Sequence, residues 1–108
     1  MLDVEAMLGQ MLKAAEGPLG KYWKTAEPVV KQEFTTIARL VEQIGVDRAT
    51  KTITQEDAID MLANAKDAAA CAIDNQIGQA EIAAEDAINA ALNAVSGIVN
   101  GYLGLKVI

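Results

Sequence analysis

Histidine is absent from this sequence, and cysteine, proline and aromatic residues are scarce. Without histidine the chain lacks the commonest general base and metal ligand, and every triad that needs one is excluded. A single cysteine, Cys71, rules out an internal disulfide and a cysteine-based zinc site. It suits a reducing compartment, so a cytoplasmic setting is expected. Cys71 stands among Ala68, Ala69, Ala70 and Ala72 and is expected to be a small buried apolar side chain. Aromatic residues make up 4% of the chain, so its core must be built from aliphatic and small side chains. There is no glycine-rich phosphate loop. No apolar run reaches the ~18 residues of a membrane span. The start, MLDVEAML, lacks the basic region and apolar run of a signal peptide.

Positive charge is also short. The net charge is −6. Residues 1–54 hold seven basic and seven acidic groups, so the whole imbalance falls on residues 55–108. An acidic chain does not attract a phosphate backbone, and nucleic-acid binding is disfavoured. With 108 residues the chain is expected to form one helical domain, 1–108.

What is present is helical periodicity. Asp3 can cap a first helix over about 3–15, with Val4, Met7, Leu8, Met11, Leu12 and Ala15 on one face. Gly17 and Pro18 form its expected stop. Leu19–Lys24 reads as a connector carrying KYWK. Tyr22 and Trp23 either lid the core there or form an interaction hot spot, since both are flanked by lysine. Thr25 can cap a second helix over about 26–44, with Pro28 tolerated in its first turn. Val30, Phe34, Ile37, Val41 and Ile44 form its apolar face, and Gly45 its expected end.

The third stretch is the most regular. Thr54 followed by Asp57 is a capping box, and Glu56, Asp57 and Asp60 suit the positive end of a helix. Alanine fills fourteen positions from Ala58 to Ala94. Ile59, Leu62, Lys66, Ala69, Ile73, Ile77, Ala80, Ala84, Ile88, Ala91, Val95, Ile98 and Tyr102 follow at steps of three or four, close to the 3.6 period of a straight helix. The phase passes Gly78 without a slip. Gln79 is a poor N-cap, so one very long C-terminal helix over 55–104, bent at Gly78, is favoured. The alternative is a break at Gly78 that makes a four-helix bundle. Either way the fold class is all-α, a helical bundle.

One flank of this stripe carries Asp60, Asp67, Asp74, Glu81 and Glu85. It reads either as a solvated acidic face or as a docking surface for a basic partner. Acids one turn apart, such as Glu81 and Glu85, do not make a metal site without the histidines such bundle sites use, and neither a metal nor a cofactor is expected. The other flank, Ala83, Ala87, Ala90, Ala94, Gly97, Gly101 and Gly104, carries no side chain larger than methyl. Small seams let two helix backbones approach closely. Beside it runs a larger seam of Ile88, Leu92, Val95, Val99 and Tyr102. A rod of about 50 residues would be ~75 Å long. Two short helices cannot cover it, so a homo-oligomer held by the small seam is expected.

The segments TITQEDAIDMLANAKDAA and AINAALNAVSGIVNGYLG resemble small helical proteins encoded in phages and prophages. That resemblance implies a helical fold and no particular activity. The function expected is therefore non-enzymatic association with copies of itself. The alternative is a membrane-associated phage lysis or envelope factor that uses the glycine-rich C-terminal segment. Asn93, Asn100 and Lys106 oppose that alternative, because they are costly in lipid.

Overall fold

The computed structural model describes residues 2–78 and 80–104. Four α-helices pack as a bundle: α1 (Val4–Leu19), α2 (Trp23–Ala49), α3 (Gln55–Gln76) and α4 (Glu81–Leu103). A 3-10 turn, Gly20–Tyr22, joins α1 to α2, so residues 4–49 are helical without a gap. Neighbouring helices run in opposite directions. Gln76 Nε2 at the end of α3 donates to the Thr25 carbonyl near the start of α2, at 3.4 Å. The opposite end is closed by Tyr102 of α4, whose hydroxyl donates to the Glu42 carbonyl of α2 at 3.3 Å. The most extensive interface joins α1 to α4, while α1 and α3 do not touch.

The single very long C-terminal helix is not formed. The molecule spans 42 × 23 × 18 Å, which cannot hold a ~75 Å rod. Its long axis matches α2, whose 27 residues rise ~40 Å. The chain turns back at Gly78, where φ is +79°. That left-handed conformation is the usual way to end a helix and suits glycine. Gln79 lies outside the described residues. Helix α4 then starts at Glu81, and its N-cap residue, Ala80, makes no side-chain cap. A poor capping residue did not prevent a new helix here, because burial of the inner face of α4 outweighs a cap of ~1 kcal/mol.

Three other boundaries moved. Helix α1 runs through Gly17 and Pro18, and its end is Gly20, whose N–H donates to the Glu16 carbonyl. Helix α2 needs no cap at Thr25, because it continues from the 3-10 turn. Both prolines therefore sit inside helices, each exposed, so the carbonyl one turn back can meet water. Helix α2 also passes through Gly45 to Ala49. A Cβ at Gly45 would collide with the Tyr102 ring. Gly45 is thus a bare patch of backbone on which an aromatic ring lies, not a stop. The chain leaves α2 at Thr50 and Lys51, the latter at φ +60°.

The capping box is formed as expected. Thr54 Oγ1 accepts from the Asp57 N–H at 3.0 Å, and the Thr54 N–H donates to Asp57 Oδ2 at 2.9 Å. The core faces are also as expected. Met7, Met11, Ala15, Val30, Phe34, Ile37, Val41, Ile44, Leu62, Ala69, Ile73, Ile88, Val95 and Val99 are buried, and no charged or polar residue is buried with them among the described residues. Of the periodic stripe of residues 59–102, Leu62, Ala69, Ile73, Ile77, Ala84, Ile88, Ala91 and Val95 are buried on two helices rather than along one side of a rod, while Ile59 and Ile98 are exposed. No described helix is long and apolar enough to cross a membrane.

Candidate functional site

The fold-back at Gly78 brings acids of two helices together. Asp67 and Asp74 of α3 and Glu81 and Glu85 of α4 line one cleft of about 290 Å³, together with Ala70 and Cys71. Asp60, two turns nearer the start of α3, is exposed and outside it. Asp74 Oδ1 is shielded from solvent and has no hydrogen-bond partner among the described residues. The carboxylates do not converge on a point: no group of three metal-ligating residues is close enough to hold an ion among the described residues. Cys71 is exposed, not buried as its alanine neighbours had suggested. Ala69 and Ile73 face inward, and Cys71, two residues from each, points to the opposite side. Asn75 Nδ2 donates to its sulfur at 3.9 Å.

A second cleft, of opposite charge, lies on the outer side of α1 at its turn into α2. Lys13, Glu16 and Gly17 of α1, Gly20 and Lys21 of the turn, and Trp23 and Lys24 of α2 line about 750 Å³. Lys21 Nζ sits 5.2 Å from the centre of the Tyr22 ring, within cation–π range. Lys13 and Lys24 have neither a hydrogen bond nor an ion pair among the described residues. Tyr22 and Trp23 are half-buried against the core, so they close this end of the bundle while their free edges remain at the surface. Tyr22 also borders a mixed hollow with Pro18, Ile82 and the acids Glu81 and Asp86, and Ile82 is 76% exposed. The KYWK motif marked this corner in the sequence. Lys13 was missed because α1 was expected to stop before the turn that brings it here.

The small seam divides into two parts. Ala87 is buried and Ala83 packs against the core, so these positions serve the bundle itself. Ala90 is half-buried. Ala94, Gly97 and Gly101 are exposed, and a Cβ at either glycine would meet nothing within 4 Å among the described residues. Ile98, 38% exposed, lies among them. Gly104 is the C-cap of α4 at φ +71°, a local role that needs no partner helix. The larger seam is core: Ile88, Val95 and Val99 are buried, and Leu92 and Tyr102 pack against them.

No protein-family model, curated protein or solved structure matches this chain. The surfaces just described are therefore the basis for a functional reading.

Proposed function

We propose that this is a non-catalytic helical bundle that works by protein–protein association, first of all with copies of itself. The observation that carries the reading is the exposed outer face of α4, formed by Ala94, Gly97, Ile98 and Gly101. Two interior glycines weaken an exposed helix by ~0.5–1 kcal/mol each relative to alanine. Close packing of another helix backbone on this face would offset that cost. A self-complementary contact of one helix gives a two-fold dimer as the simplest assembly. The absence of histidine supports a non-catalytic role. The resemblance of its two helical segments to phage and prophage proteins supports such a setting, and the single cysteine supports a reducing, cytoplasmic compartment.

Replacing Ala94 and Gly97 by glutamine tests this. Both positions are open, so the fold accepts the bulk, and the charge is unchanged. Overpacking a tight seam costs ~1–3 kcal/mol per site, so at ~1 M salt, where exposed charge pairs are screened, dimer mass in light scattering should fall to that of a monomer. A wild-type protein that is monomeric at micromolar concentration would end the reading.

A further inference from the structure

We infer that the basic cleft around Trp23 receives the acidic cleft of a second copy of this chain, in a contact distinct from the α4 face and independent of it. Three of the nine basic residues of an acidic protein, Lys13, Lys21 and Lys24, line this one cleft, with Glu16 as its only acid. The four carboxylates of Asp67, Asp74, Glu81 and Glu85 line the other. The fold separates the two. The cations line the groove of α1, its turn and the start of α2, and the acids line the groove between α3 and α4. No hydrogen bond or ion pair joins the cations of one cleft to the acids of the other among the described residues. Both sit toward the same end of the bundle, where α1 and α3 finish and α2 and α4 begin. Copies standing side by side in the same orientation would therefore bring them face to face.

Such a contact uses two different surfaces. It closes into a ring or continues as an open row, and in either case it passes beyond two subunits. It also has a specific salt response. Each copy carries a net −6, which repels at long range, while the facing clefts attract only at short range. At ~0.01 M salt the screening length of ~30 Å lets the repulsion dominate; at ~0.1 M it shrinks to ~10 Å and leaves the contact pairs; at ~1 M it is ~3 Å and the pairs fail. Association is thus strongest at intermediate salt.

Sedimentation of the full chain across this salt range is the test, with two variants of equal net charge. In one, Lys13, Lys21 and Lys24 become glutamate; in the other, Lys31, Arg39 and Lys51 do. Three exposed pairs together are worth about a tenfold change in association constant, so the first variant should lose about tenfold more than the second. Mixing the first variant with a chain carrying Asp67→Lys, Glu81→Lys and Glu85→Lys should restore assembly. Association that rises steadily with salt, equal losses in the two variants, or no growth beyond a dimer would overturn the inference. The last outcome would leave the α4 reading standing, and salt-peaked growth should survive glutamine at Ala94 and Gly97, because the two contacts are independent.

Discussion

Gly45 and Gly78 both interrupt an apolar 3.6-residue rhythm, and the chain treats them in opposite ways. Gly45 lies inside a helix that continues for another turn, and Gly78 reverses the chain. From sequence the two would be assigned the other way round: Gly45 is followed by a hydrophobic residue, as a helix stop prefers, and Gly78 sits in unbroken phase. The difference lies in what approaches each glycine. The Tyr102 ring, 57 positions along the chain, occupies the space of a Gly45 side chain. No described residue comes within 4 Å of a Cβ at Gly78, where the positive φ is what calls for glycine. One glycine is there for a distant contact and the other for a local turn, and only the folded chain tells them apart.

The strongest way to break this comparison is Gly45→Ala. The added methyl meets the Tyr102 ring, and overpacking of this kind costs ~1–3 kcal/mol. Chemical denaturation should show that loss, and it should vanish when Tyr102 is also changed to leucine. A full loss in the double variant would mean that the ring is not the cause. Gly78→Ala comes next. A left-handed angle costs a residue with a Cβ ~1–2 kcal/mol, and the double variant at Gly45 and Tyr102 should not alter that figure. The smallest effect has the opposite sign. Gly97→Ala adds a methyl to open space in a helix and should stabilise the monomer by ~0.5–1 kcal/mol. Thermal unfolding at low protein concentration reads this directly, and a destabilised variant would show that some backbone already lies against Gly97.

Local chemistry was legible in the sequence and long-range geometry was not. Thr54 and Asp57 are three residues apart, and their capping box depends on nothing else. The inner faces of α1 and α2 follow from spacing alone. Periodicity, however, reports which side of a helix is apolar and says nothing about whether the helix continues. A hairpin of two helices with inward faces keeps phase across its turn whenever the turn length allows, and Ile77, Gly78 and Ala80 do so here. The same limit applies to the clefts. The seven-residue spacing of Asp60, Asp67 and Asp74 put them on one flank, but only the reversal at Gly78 placed Glu81 and Glu85 opposite Asp67 and Asp74 and left Asp60 behind. Lys13 joins Lys21 and Lys24 because α1 runs past Gly17, a boundary set by packing at Leu19 rather than by the glycine.

The pairing of α1 with α4 has a consequence for how the molecule is made. Of the four helices, the one synthesised first finds its largest partner in the one synthesised fourth. Until α4 is complete, Met7, Met11 and Ala15 have only α2 to cover them, and α2 divides its own contacts between α1 and α3. Bringing together segments so far apart along the chain costs loop-closure entropy before any contact rewards it, which slows folding relative to a bundle of sequential hairpins. Vectorial synthesis therefore delivers an α1 whose apolar stripe waits for α4, and a nascent α1–α2 hairpin is the species a chaperone would meet.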